Sequence, residues 1–210
     1  MDGKFLLIGG ALLIGGIYLF KKKNEDENNA KDSDKSTADL TDPATQKALY
    51  LKSLLKPYTD TDGFVPGLTK KVWKTDRASD GTIVKILNAL LEVTTWAGIQ
   101  NKFRALCDGE YTLLSSLQAA LPDKWYKKAI EIAAAQKVIT TKNVTVTLRD
   151  NEAMTGIVTK NFNANTIIGA LTSTNSNEYR FINGYRDNGI VRQDIEEITG
   201  IIYTNSAKLV

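Results

Sequence analysis

The chain begins with an uncharged run, residues 5–20, that ends at three consecutive lysines. As an α-helix these 16 residues would be about 24 Å long, and a bilayer has a hydrocarbon core of about 30 Å. Lysine ammonium groups on both sides can reach the headgroup layers, and modest thinning of the bilayer covers the difference. We therefore predict a transmembrane anchor over residues 1–23. Its apolar side chains are Phe5, Leu6, Leu7, Ile8, Leu12, Leu13, Ile14, Ile17, Tyr18, Leu19 and Phe20, and its basic interface residues are Lys21, Lys22 and Lys23.

A cleaved signal peptide is the alternative interpretation of this run. Such a peptide has its positive charge before the apolar segment and a small-x-small cleavage site after it. Here Tyr18, Leu19 and Phe20 continue directly into the lysines, which favours a retained anchor. Three lysines after the run, against Lys4 before it, predict a single-pass membrane protein with its C-terminal bulk on the cytoplasmic side.

The next segment, residues 24–42, has almost no apolar side chains and predicts a polar linker. A flexible chain of this length has an end-to-end distance of about 25 Å, so the folded part should stay near the membrane. The whole chain has 42% apolar and 24% charged residues, which is typical of a folded protein. The residues past the linker should therefore bury a core.

The chain contains no histidine and a single cysteine, Cys107. The absence of histidine excludes histidine general bases, histidine-containing zinc sites and Ser-His-Asp or Cys-His catalysis. A single cysteine excludes an internal disulfide. Without a histidine to activate it, Cys107 is interpreted as a packed thiol rather than a nucleophile.

Neither of two carboxylate groups in the sequence has the pattern of a catalytic or metal site. The adjacent Glu196 and Glu197 would point apart in a one-turn helix and make a poor acid–base pair. Asp60 and Asp62 resemble the start of an EF-hand loop, but Lys71 occupies the twelfth position, where such a loop needs glutamate. We predict no catalytic residue, no metal site and no cofactor, and therefore a protein that is not an enzyme.

From Asp42 the pattern becomes helical. Asp42 is placed as an N-cap, Pro43 occupies the first helical position, and Pro57 ends the segment. Gly63, Pro66 and Gly67 then mark a long connection. Four amphipathic segments follow, each with a single apolar stripe, so they must pack on one another. They cover residues 82–92, 96–106, 111–121 and 124–135 of a helical domain predicted over 43–140.

The order of these five helices resembles one annexin repeat. The stretch "SDGTIVKILNALLEVTTWAGIQNKFRALCDGEYTLLSSLQAAL" has an acid-Gly-Thr start, an Ile/Leu second helix, an Ile and Phe third helix and a Leu-rich fourth helix, in family order. The Gly-x-Gly-Thr loop whose carbonyls bind calcium in annexins is absent as such, because "DRASDGT" precedes the second helix. The chain also has one repeat rather than four. Single repeats of this kind are similar to those of Bacteroidota bacteria and their phages, often behind an N-terminal hydrophobic segment.

Near residue 142 the sequence changes to short runs rich in Val, Ile, Thr and Tyr, separated by turn signals. Val144, Val146 and Leu148 alternate with polar residues, so the first strand should have one buried face. About five strands predict a small closed or half-closed β-barrel over residues 141–210. "VTVTLRDNEAMTGIV" followed by "VRQDIEEITGII" is similar to Sm-like and other SH3-like barrels. The predicted fold class is thus α+β with several modules: an N-terminal transmembrane helix, an annexin-like helical bundle and a small β-barrel.

Charge divides unevenly along the chain. Residues 43–143 hold 15 Lys and Arg against 9 acids, whereas residues 144–210 hold 6 against 7. The basic middle favours anionic partners such as phospholipid headgroups, although lysines also simply solvate exposed helix faces. The near-neutral C-terminal part argues against nucleic acid as a partner.

An anchor, a short linker and two modules without catalytic chemistry predict a structural or interaction protein that links a membrane to a protein shell. The resemblance implies a virion component of a membrane-containing bacteriophage. Its partners would be a lipid bilayer and a capsid or envelope protein, with a homo-oligomer also open. One alternative is a bacterial envelope protein whose basic helical domain binds anionic lipid or another envelope polymer. Another is a calcium-dependent annexin-like membrane binder.

Overall fold

The computed structural model describes residues 41–62, 70–150, 157–187 and 195–210. The predicted membrane helix over residues 5–20, the basic residues 21–23 and most of the predicted linker lie outside these ranges. No helix within these ranges has the length and apolar character needed to cross a bilayer. Residues 41–210 form one compact unit.

The first helix, α1 (Pro43–Leu55), begins where its capping residues place it. The Asp42 carboxylate accepts hydrogen bonds from the backbone N–H groups of Ala44 and Thr45, at 3.3 and 3.1 Å, and Pro43 occupies the first helical position. The helix ends at Lys56, which adopts a left-handed conformation before Pro57. The N-cap and the stop were both predicted correctly.

Four further helices follow in the described ranges, close to the segments that the periodicity predicts. They are α2 (Asp80–Leu91), α3 (Trp96–Leu106), α4 (Leu113–Ala120) and α5 (Asp123–Ala134).

A short antiparallel hairpin lies where the sequence predicted only a connection. Strand β1 (Tyr58–Asp62) pairs with β2 (Lys70–Lys74) in register from Tyr58↔Lys74 to Asp62↔Lys70. Trp73 stacks on the Tyr111 ring, with centroids 6.1 Å apart, and Thr75 Oγ1 lies 3.0 Å from Ser116 Oγ. These contacts hold the base of the hairpin on the helices.

The C-terminal part of the described chain contributes seven strands to one antiparallel sheet. The strands are β3 (Lys137–Thr140), β4 (Val144–Asp150), β5 (Ile157–Phe162), β6 (Ile167–Thr174), β7 (Glu178–Asp187), β8 (Ile195–Tyr203) and β9 (Ala207–Leu209). Their order is β5-β4-β8-β7-β6-β3-β9, so β5 and β9 stand at the two ends. A 3₁₀ turn, Thr204–Ser206, connects β8 to β9.

Two hydrophobic clusters fill the unit, and the larger one joins the helices to the sheet. Alongside the apolar stripes of the helices it contains Ala170, Ile182, Tyr185 and Ile195 from the strands. The second cluster contains strand residues only, on the opposite sheet face. Its buried members are Val138, Val146, Leu148, Phe162, Ile168, Phe181, Ile202 and Ala207.

The predicted fold class is therefore wrong. The described helices do not form a separate annexin-like bundle, because their core continues into one face of the sheet. The strands do not form a separate small barrel, because one face of their sheet shares its core with the helices and the end strands β5 and β9 of the described sheet do not pair with each other. A transmembrane helix is absent from the described residues. The alternation of apolar and polar residues in a strand indicates that one face of the strand is buried. It does not indicate whether another element covers the second face.

Candidate interaction surface

Part of the sheet face that packs on the helices is left uncovered, and we call this part the open sheet face. On β4, Val146 and Leu148 point into the strand-only cluster, so the alternate residues point to the opposite face. Cross-strand pairing extends that face over neighbouring strands, since Arg149 pairs with Thr199 and Arg180 with Ile201. Its members are Thr145, Thr147, Arg149, Thr159, Asn161, Ser173, Glu178, Arg180, Thr199, Ile201 and Tyr203.

Two large hydrophobic side chains stand at the centre of the open sheet face. Ile201 is 46% exposed and Tyr203 is 64% exposed, although Ile202 between them is buried. Both lie on β8, an interior strand of the sheet, with short polar side chains on β4 and β5 to one side. Tyrosine and arginine amid small polar residues are typical of the composition of protein interfaces.

The charges of the open sheet face are few. Glu178 pairs across the strands with Tyr203, and Arg180 pairs with Ile201, so the two charged side chains occupy adjacent rows of β7. Within the described ranges, no hydrogen bond or ion pair joins either side chain to another residue. Arg149 is the other charged member of the face.

Helices cover the remainder of this sheet face, and a single amide fixes their position. Asn88 on α2 accepts a hydrogen bond from the Tyr185 N–H at 2.7 Å and donates one to the Tyr185 carbonyl at 3.0 Å. The side chain thus pairs with both backbone groups of one residue on β7, as a neighbouring strand would. This contact holds the covering helices, which we call the helical layer, on strand β7.

A cleft of about 330 Å³ opens between α5 and strands β6 and β7. At its rim Lys128 forms an ion pair with Glu197 at 2.8 Å and lies 3.9 Å from Glu131. The cleft is lined by Lys128, Glu131, Ile132, Ala135, Ala170, Leu171, Thr172 and Ile182. It combines an apolar floor with a rim whose charges are already neutralised.

Two polar atoms are buried close to this cleft without a hydrogen-bond partner among the described residues. They are Trp125 Nε1 and Tyr185 Oη, whose rings meet edge to face with centroids 6.3 Å apart. Burial, followed by the charges of Glu197 and Glu131, raises the pKa of Tyr185. Neither Trp125 nor Tyr185 lines the cleft, so the two orphan atoms do not make it a built binding site.

Lys137 is buried with 1% of its surface exposed. Its ammonium donates to the Ile132 carbonyl in the last turn of α5, where the helix dipole favours a cation. Burial lowers the pKa of Lys137 to about 8. The geometry gives this lysine a structural role, as a cap on the end of α5.

Three of the four carboxylates that the sequence singled out are held in ion pairs. Glu196 and Glu197 lie in strand β8 rather than in the predicted one-turn helix, and they point to opposite sheet faces. The Arg186 guanidinium donates to Glu196 Oε2 through Nε and Nη2, at 2.8 and 2.6 Å, while Glu197 pairs with Lys128. Asp60 lies in β1, where Lys74 binds it at 2.6 Å. In the described ranges no group of three or more potential metal-ligating residues is present.

Exposed basic side chains remain on the helical layer. Lys85 on α2 and Lys124 and Lys127 on α5 are exposed, and Lys124 lies 4.6 Å above the ring of Trp125. The residues predicted to anchor the chain and to flank the membrane, 5–23, lie outside the described ranges and are not brought together with these lysines.

The sequence did contain a signal for the open sheet face. "TGIIY" places Ile201 and Tyr203 two apart around Ile202, so a strand there must expose one side of an apolar run. The segment was predicted only as part of the last strand of the small barrel, with no prediction of which of its side chains are exposed.

No protein-family model matches the chain, and no curated protein or solved structure matches it significantly. The resemblances to annexin repeats and to Sm-like proteins therefore stay predictions.

Proposed function

We propose that this chain is a non-enzymatic interaction protein that is held at a membrane by its N-terminal residues and links that membrane to a protein shell. This shell would be the capsid of a membrane-containing bacteriophage, because the sequence resemblance favours a bacteriophage protein. Membrane attachment rests on the apolar run 5–20 and the three lysines after it.

The open sheet face is the observation that carries the binding role. An exposed tyrosine and isoleucine on an interior strand of a sheet leave apolar surface in water that a protein partner would cover. The surrounding threonine, serine and asparagine side chains can form the polar rim of such an interface. The ionisable groups of the cleft and of β8 are engaged in ion pairs, which fits binding better than acid–base chemistry.

A second candidate is a bacterial envelope protein whose helical layer binds anionic lipid. The exposed Lys85, Lys124 and Lys127 favour it, since each ammonium near an anionic surface contributes about 1 kcal/mol. The two candidates differ in which surface matters: the open sheet face for a protein shell, the lysines of α2 and α5 for lipid.

The experiment compares the full chain with a variant lacking residues 1–23 and with Ile201→Ser/Tyr203→Ser. Each is expressed in cells that assemble membrane-bearing particles, and its copy number in purified particles is measured by mass spectrometry. We expect the deletion to abolish incorporation and the double substitution to reduce it about tenfold, as the loss of interface anchors does.

Two controls separate these effects from general damage. Val158→Ser removes another exposed apolar strand residue, 58% exposed, whose partner Leu148 places it on the opposite sheet face. Lys21→Arg/Lys22→Arg/Lys23→Arg keeps the basic charge, and both controls should be incorporated normally. Normal incorporation of the deletion variant would contradict the proposal, because the membrane would then not recruit the protein.

A further inference from the structure

We infer that the open sheet face binds a second copy of this chain, sheet on sheet, about a two-fold axis. The inference rests on the proposed function, since membrane attachment concentrates the copies, and it makes the partner of this face specific. The protein that covers the open sheet face is a second copy, and the resulting pair rather than a single copy meets the shell. The first observation is the pattern of charge on β7.

Glu178 and Arg180 are two residues apart on one strand and point to the same face, in rows separated by about 7 Å. We place a two-fold axis between the two facing sheets, perpendicular to the strands and midway between these two rows. This axis puts β7 of one copy over β7 of the other, with the two strands running in opposite directions. Glu178 then faces Arg180 of the second copy, and Arg180 faces its Glu178. The face is therefore complementary in charge to itself, as a two-fold interface requires.

The same axis brings the apolar side chains together. Tyr203 shares a row with Glu178, and Ile201 shares a row with Arg180. The reversal therefore stacks Tyr203 on Ile201 of the second copy, at the ~10 Å spacing of packed sheets. Charge pairing at β7 and apolar packing at β8 follow from one operation.

The helical layer is compatible with this arrangement. It covers the end of the sheet face at Ile182 and Tyr185, on the Arg180 side of the axis. The axis places the helical layer of the second copy at the other end, beyond the Glu178 row. Each helical layer then meets the β6–β7 turn of the other copy rather than its helices.

The size of the face predicts weak association in solution. Five strands and the two rows that face each other give a footprint of about 300–400 Å² per copy, below the ~800 Å² per partner of a stable interface. Confinement to a membrane raises the effective concentration and would populate the pair there.

A charge exchange tests the inference. Wild type, Arg180→Glu, Glu178→Arg and the double exchange Glu178→Arg/Arg180→Glu are compared as residues 41–210, which form one compact unit with its own core. Sedimentation equilibrium at up to about 1 mM measures dimerisation of each variant, a range that suits weak interfaces. Site-directed cross-linking of the full chain in lipid vesicles repeats the comparison on a membrane. Glu110→Arg, an exposed charge away from the sheet, is the matched control.

We expect each single exchange to weaken dimerisation at least tenfold and the double exchange to restore it to within about threefold of wild type, since only a self-complementary pair is rebuilt by exchanging both charges. A monomeric wild type both at this concentration and in vesicles would overturn the inference, as would a double exchange that stays as weak as the single ones. Failure of the proposed function is distinguishable. If the proposed function fails and the inference holds, the chain dimerises but is not incorporated into membrane-bearing particles. If the Arg180→Glu variant is still incorporated, the open sheet face binds another partner.

Discussion

Lys137 lies in an environment that a lysine side chain disfavours. Its ammonium lies in the interior with one carbonyl as its hydrogen-bond partner in the described chain, and its pKa is lowered from 10.5 to about 8. Because a tenfold change in proton affinity is about 1.4 kcal/mol, the buried charge costs up to about 3 kcal/mol below pH 8. Between pH 8 and 10.5 the unfolded chain binds more protons at this site, so the free energy of unfolding should rise with pH there.

Lys137→Met removes that cost together with its pH dependence. We expect the free energy of unfolding to increase by about 1–3 kcal/mol at pH 7, since the lost hydrogen bond to Ile132 offsets part of the gain. The extra stability should shrink as the pH rises through 8 towards 10.5, which urea denaturation at several pH values measures. The exposed Lys208→Met is the control. A variant less stable than wild type at pH 7 would show that the hydrogen bond from Lys137 to the end of α5 stabilises the fold by more than the burial of the charge costs.

Asn88 is a second residue whose role is local and testable. Its side chain satisfies the backbone N–H and carbonyl of Tyr185, so Asn88→Ala leaves two polar groups without partners. We expect a loss of about 2–4 kcal/mol in the free energy of unfolding. Asn101→Ala, at an exposed position of α3, should change it by less than about 0.5 kcal/mol. Equal effects of the two substitutions in urea denaturation would refute this role.

Among the elements, strand β8 depends on a glycine. An added Cβ at Gly200 would lie 2.7 Å from the Phe181 ring and 2.8 Å from a Leu148 methyl group, both within the strand-only cluster. Gly200→Ala therefore overpacks that cluster, and we expect a loss of about 1–3 kcal/mol. Gly81→Ala on α2 meets nothing within 4 Å and should be neutral or stabilise by up to about 1 kcal/mol. Thermal unfolding compares the two, and a harmless Gly200→Ala would mean that the sheet yields there.

The elements also show what local patterns can predict. The five helices were located because caps and 3.6-residue periodicity are read within one segment, as at Asp42 and Pro57. The β1–β2 hairpin was missed, since its stability comes from contacts between distant residues such as Lys74 with Asp60 and Trp73 with Tyr111. The exposure of Ile201 and Tyr203 was not predicted for the same reason. A local pattern cannot show which face of a strand another element covers.

At the scale of the whole molecule, the shared core changes how the chain can be divided. A cut near residue 140 would separate the helices from Ala170, Ile182, Tyr185 and Ile195 and expose apolar surface on both pieces. The predicted two-module architecture had no sequence signal against it, since a helix stripe looks the same whether a helix or a sheet covers it. Binding experiments should therefore use residues 41–210 as one unit.

The last prediction concerns how that unit meets a membrane surface. Attraction of Lys85, Lys124 and Lys127 to anionic headgroups would be electrostatic, and between about 0.05 and 0.5 M salt it should weaken as the Debye length shortens. We expect co-sedimentation of residues 41–210 with phosphatidylserine vesicles to fall at least fivefold over this range. At low salt, the Lys124→Glu/Lys127→Glu variant should co-sediment at least fivefold less than wild type. Lys142→Glu/Lys208→Glu has the same net charge and should bind nearly as well as wild type, because its exposed lysines lie outside α2 and α5. Because the Gly-x-Gly-Thr loop that binds calcium in annexins is not reproduced in the sequence, we expect chelator not to change binding. Binding that requires calcium would instead restore the annexin-like alternative, and equal losses in the two double variants would reduce the effect to net charge alone.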